Sequence, residues 1–103
     1  MALRKTNTTK NDPRSGSTTL CKDIPAITGS FVETRIKKKK GESNFAAYKR
    51  FSQDEADGWC ESGLCSSGKC RGQRETLEGP TFGNATEDYV VVSFKMNITC
   101  KCE

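Results

Sequence analysis

Six cysteines are the residues in this 103-residue chain whose type and spacing carry chemistry: Cys21 alone, Cys60, Cys65 and Cys70 in "CESGLCSSGKC", and Cys100 and Cys102 in the closing "TCKCE". Thiols at such spacings either oxidise to disulfides or ligate a soft metal. Zinc needs four ligands, and with no histidine in the chain all four would be thiolates, yet the clustered cysteines lack the paired Cys-x2-Cys knuckles of such sites. An even count in a small chain fits a disulfide framework in an oxidising compartment. No other constellation suggests catalysis. A Ser-His-Asp arrangement is impossible without histidine, Gly72 and Gly79 do not form a phosphate-cradling loop, and the acidic group Asp54, Glu55 and Asp57 lacks the ligand spacing of a calcium loop. The chain therefore reads as a non-enzyme without cofactor or metal.

The composition asks for such a covalent frame. With 33% apolar and 29% charged residues, a single domain of this size buries too little surface to offset chain entropy comfortably. Three N-glycosylation sequons, at Asn7, Asn84 and Asn97, point the same way, towards a secreted, extracellular glycoprotein. The opening "MALRKTNTTK" has no apolar signal core and reads as the start of a mature portion behind an initiating methionine. No stretch approaches the roughly 20 apolar residues of a membrane span.

The cysteines must be positioned by the elements between them. Residues 1–19 are polar and rich in Thr, Ser and Asn, which predicts a flexible arm ahead of a domain at 20–103. Residues 31–37, "FVETRIK", suit a half-exposed strand, the charged "KKKGE" a turn around Gly41, and residues 44–51, "NFAAYKRF", a returning strand, although "AAYKRF" also tolerates a helical turn. "SQDEADG" reads as a loop or one helical turn capped by Ser52 with Glu55 three residues on. Trp59, beside Cys60, either packs on a disulfide or faces a partner. "RGQRETLE" reads as a polar strand, and "GPTFGNATED" is dense in turn formers and predicts an exposed tip. In "DYVVVSFKMNIT", Val90, Val92, Phe94, Met96 and Ile98 share one face. Tyr89, Val91, Ser93, Lys95 and Asn97 share the other, as in an antiparallel strand with one buried and one wet side.

Sequence alone does not choose among the possible pairings of six cysteines. Cys100 and Cys102 project from one face of a strand end and can reach two cysteines of a neighbouring segment, for which Cys60 and Cys65 are suited, with the small Gly63 between them. Joining Cys60 to Cys100 and Cys65 to Cys102 closes a ring through which a bridge from Cys21 to Cys70 would pass. That is a cystine knot with two long antiparallel β-hairpins in an all-β, disulfide-rich fold.

The order of one cysteine, a long loop, three clustered cysteines, a second long loop and a terminal Cys-x-Cys resembles the cystine-knot growth factors and cytokines. Its layout is most similar to the neurotrophin, Spätzle and trunk or prothoracicotropic-hormone type. "CESGLC" with "CKC" is also similar to interleukin-seventeen cytokines, and "CKCE" to the end of transforming-growth-factor-β chains. Neurotrophins differ in a longer gap between the second and third cysteines and in an aromatic-rich dimer surface. The resemblance implies a secreted signalling ligand that binds a cell-surface receptor ectodomain as a non-covalent homodimer, with no role for nucleic acid. Tyr89, Val91 and Phe82 are candidate protomer contacts. The basic stretch of Arg35, Lys37, Lys38, Lys39 and Lys40, with Lys49 and Arg50, is a candidate contact for the receptor or for heparan sulfate, or simply a solvated tip that resists edge pairing. The alternative is a secreted cysteine-rich inhibitor of salivary or venom type that captures a host chemokine, protease or complement protein. "CESGLCSSGKC" also resembles segments of tick evasin-type proteins, although cysteine number and spacing elsewhere depart from them. An antagonist built on the same knot is a third reading.

Overall fold

The computed structural model describes residues 19–103, so Asn7 and nearly all of the expected flexible arm lie outside the described residues. A 3-10 turn at Cys21–Asp23 leads into strand β1 (Ile27–Lys37), helix α1 (Asn44–Cys60), and strands β2 (Cys70–Ala85) and β3 (Tyr89–Cys102). The strands form one antiparallel sheet in the order β1-β3-β2. This is the expected small, mostly β, disulfide-rich fold.

β3 occupies the centre because it carries the cleanest alternation in the chain. Val90, Val92, Phe94, Met96 and Ile98 are all buried, while Val91, Ser93, Lys95 and Asn97 on the opposite face are only half-buried. β1 begins in step with this pattern, pairing Ile27 with Ile98, Gly29 with Met96 and Phe31 with Phe94. A bulge between Phe31 and Thr34 then shifts the register, so that Ile36 also faces inward, against Val90. Glu33 takes a left-handed backbone conformation there (φ 46°), and its N–H donates to Ser93 Oγ at 2.9 Å. That switch of parity is why residues 31–37 alternate only partially in sequence.

The first long loop departs from the expected hairpin. Residues 44–51 are not a returning strand but the first half of the 17-residue α1. The true N-cap is Ser43, whose Oγ accepts from the Ala46 N–H at 3.1 Å, a contact that stabilises a helix by about 1 kcal/mol. Ser52, expected to be a cap, lies buried in mid-helix and donates back to the Lys49 carbonyl at 3.1 Å. The buried residues Ala47, Tyr48, Ser52, Glu55, Ala56 and Cys60 recur at helical spacing and form one face. That face covers the inner side of the sheet. Phe31 stacks on Phe94 with ring centroids 4.7 Å apart, and Tyr48 and Phe51 meet Phe94 edge-on at 5.0 and 6.3 Å. β1 therefore finds its partner in β3 rather than in the segment that follows it, leaving β2–β3 as the single hairpin among the described residues.

The turn-rich residues 79–85 are exposed, as expected, except for half-buried Pro80 and Phe82, but they belong to β2. Register shifts at residues 76–78, 78–81 and 82–85 absorb the glycines and Pro80. This is tolerable because β2 is an edge strand, where a missing N–H breaks no ladder on its open side. The tip itself is residues 86–88, closed by Thr86 Oγ1, which accepts from the N–H groups of Asp88 and Tyr89 at 3.1 Å each. No helix among the described residues is long and apolar enough to cross a membrane.

Candidate functional site

The strand ends and the end of α1 converge on the cysteines, which pair as Cys21–Cys70, Cys60–Cys100 and Cys65–Cys102, with Cα separations of 5.5, 5.6 and 5.8 Å. The Cys21 sulfur lies within 4.8 Å of those of Cys65 and Cys102, and the Cys70 sulfur within 4.8 Å of those of Cys60 and Cys100. The Cys21–Cys70 bridge thus sits between the two bridges of the ring, a cystine-knot-like arrangement. Gly63 lines its path. A Cβ there would lie 2.7 Å from Cys70 Sγ and 2.9 Å from Cys21 Cα, so only glycine leaves room for the bridge. All six cysteines are bridged within the chain.

The basic segment before α1 is more structured than its charge suggests. Arg50 reaches back from the helix to grip Glu42 with two hydrogen bonds, Nε to Oε2 at 2.9 Å and Nη2 to Oε1 at 2.8 Å, and also donates to the Lys37 carbonyl at 2.8 Å. The Lys39 N–H adds a further bond to Glu42 at 2.8 Å. These donors, Arg50 first and then the Lys39 backbone, hold the Glu42 carboxyl well below the usual range, at about 2. Lys38 is likewise committed, its Nζ donating to Asn44 Oδ1 at 2.9 Å and to the Thr86 carbonyl at 2.8 Å.

Because the folded-state value of Glu42 is depressed, its contribution to stability is complete above about pH 4.5, its ordinary value, and is lost as pH falls towards 2. Urea midpoints measured across that window are expected to fall more steeply in the wild type than in Glu42→Gln. Equal slopes would show that the pair contributes nothing.

A second clamp closes the other end of the helix. Asp57 accepts from Arg71 Nε at 3.2 Å and Nη2 at 3.1 Å, from the Gly72 N–H at 2.9 Å and from Gln53 Nε2 at 3.1 Å. Partial burial acts to raise its pKa, but the bonds from Arg71, Gly72 and Gln53 prevail and lower it. Asp54, Glu55 and Asp57 therefore do not act as one acidic group. Asp54 is exposed, Glu55 is buried in the core-facing surface, and Asp57 is tied to β2.

The residues singled out as partner contacts divide by face. Trp59 is half-buried against the core and its Nε1 donates to the Pro25 carbonyl at 3.0 Å. Phe82 pairs with Val92 on the inner face, its ring edge-on to Tyr48 at 6.4 Å, and so lies on the side of the sheet opposite Tyr89 and Val91. Arg35, Lys37, Tyr89 and Val91, in contrast, come together. Arg35 pairs with Val91 and Lys37 with Tyr89 across the β1–β3 ladder, and the Arg35 guanidinium lies 4.9 Å from the centre of the Tyr89 ring. Lys39 and Lys40 are exposed at the turn beyond. The result is one basic and aromatic patch on the open face of the sheet.

Both remaining sequons lie on strands. Asn84 is exposed near the end of β2, whereas Asn97 is half-buried on the open face, its Oδ1 accepting from Thr28 Oγ1 at 3.3 Å. Comparison with protein-family models, curated proteins and solved structures finds no match.

Proposed function

We propose that this protein is a secreted, non-enzymatic ligand of the cystine-knot growth-factor and cytokine kind, which binds an acidic surface of a cell-surface receptor ectodomain. The reading is carried by the joining of the exposed Arg35, Lys37 and Tyr89 with the half-buried Val91 into one patch on the open face of a disulfide-held sheet. Clustered cations speed encounter with an acidic partner, and an aromatic ring beside an arginine is a combination enriched where binding energy concentrates. The three internal bridges fit an oxidising extracellular setting. Heparan sulfate, engaged through the neighbouring Lys39 and Lys40, is a secondary partner, and self-association is a non-covalent homodimer.

Labelled protein is expected to bind cell surfaces saturably, and the double substitution Arg35→Glu/Lys37→Glu to weaken that binding about tenfold or more with circular dichroism unchanged. Heparinase treatment separates the glycan contribution from the receptor's. Sedimentation should give a dimer. A stable monomer without saturable binding to any cell type would sink the ligand reading in favour of an inhibitor of soluble factors.

A further inference from the structure

The three bridges differ in access to solvent. Cys21, Cys60 and Cys70 are 1%, 0% and 7% exposed, and Cys100 is half-buried, bonded to the fully buried Cys60. Cys102 is exposed and its partner Cys65 is half-buried. The segment joining Cys65 to β2, residues 66–69, is exposed throughout. Apart from the bridge itself, a reciprocal backbone pair ties this end together: the Lys69 N–H donates to the Glu103 carbonyl and the Glu103 N–H to the Lys69 carbonyl, each at 2.9 Å. Cys102 is flanked by Lys101 on one side and Glu103 on the other, so access rather than local charge sets this bridge apart, and exchange requires that the attacked sulfur be reachable.

We infer that Cys65–Cys102 is a thiol–disulfide exchange site for a dithiol reductant, the class that includes Cys-x-x-Cys oxidoreductases. A thiolate of the reductant attacks the exposed sulfur of Cys102, forming a mixed disulfide and expelling Cys65 as a thiolate that takes up a proton. The second thiol of the reductant then attacks its own sulfur in that mixed disulfide and releases Cys102. The reductant leaves as a disulfide, and the two cysteines have gained two electrons and two protons. Opening this one bridge breaks the ring around Cys21–Cys70. Cys60–Cys100 still holds the end of β3 to α1, so the sheet and helix persist while the knot end loosens. The exposed Leu20 and Leu64 lie at that end, with Leu64 directly preceding Cys65 and bridged to Leu20.

The test uses the native protein. It is exposed briefly to dilute dithiothreitol, quenched with iodoacetamide, and mapped by peptide mass spectrometry alongside far-ultraviolet circular dichroism. Cys65 and Cys102 are expected to label together at least about tenfold faster than the other four cysteines, in protein whose circular dichroism is unchanged. Simultaneous labelling of all six, earlier labelling of any other pair, or loss of the spectrum in step with the first labelling would overturn the assignment. The outcome is independent of which partner the basic patch binds.

Discussion

Gly72→Ala is expected to destabilise the fold by about 3 kcal/mol or more, a large share of the roughly 5 to 15 kcal/mol that holds a small domain together. At Gly72, β2 touches the helix backbone directly. An added Cβ would overlap the Ala56 carbonyl and lie 2.7 Å from Ala56 Cβ. Neither obstacle is the end of a flexible side chain that can swing away. The helix must lift, and with it the Asp57 bonds to Arg71 and to the Gly72 N–H stretch or break. The neighbouring Gln73→Ala, on the exposed open face paired with Thr99, should cost under about 0.5 kcal/mol. Urea denaturation of the two variants decides the matter, and similar midpoints would mean that the helix does not bear on the strand at this point.

Removing the Cys60–Cys100 bridge as Cys60→Ala/Cys100→Ala is expected to cost about 2 to 5 kcal/mol, enough to leave much of the protein unfolded at physiological temperature. Cys65–Cys102 closes nearly the same span of chain, so the cost comes from position: Cys60 is fully buried in the core, and its bridge is the covalent tie between the end of α1 and the end of β3. Thermal melts of the variant against wild type would show the effect. A native melting temperature would mean that the packed core, not the bridge, supplies the stability. Strong reductant, which opens all three bridges, should unfold the chain, in contrast to the limited exchange inferred at Cys65–Cys102.

The cysteine spacing and the alternation of residues 90–98 were legible because each depends on short-range periodicity. Side chains two apart on a strand share a face wherever that strand ends up, so the buried set of β3 and the common direction of Cys100 and Cys102 follow from order alone. The helix was legible in part. Ser43 as a cap and the recurrence of Ala47, Tyr48, Phe51, Ser52, Ala56 and Trp59 were present in the sequence, but the charged turn around Gly41 at 38–42 and the strand preceding it suggested a hairpin instead. The bulged run of β2 was masked by Gly79, Pro80 and Gly83, which mark a turn in most contexts and here sit harmlessly on an open edge.

The sequence by itself thus determined a small, disulfide-dependent sheet protein and which face of its best strand is buried, since low apolar content and local periodicity need no knowledge of distant partners. Only the tertiary structure decided that β1 pairs with β3, and this pairing brings Arg35 and Lys37 beside Tyr89 and Val91, more than fifty residues away in the chain. It also removed Phe82, Trp59 and Lys38 from the exposed patch by giving each an internal partner. The physical reason is that a strand's choice of neighbour is settled by how whole apolar faces fit together. Once α1 covers the inner face of β2 and β3, the free edge of β3 is the place where Phe31 and Ile36 can be buried.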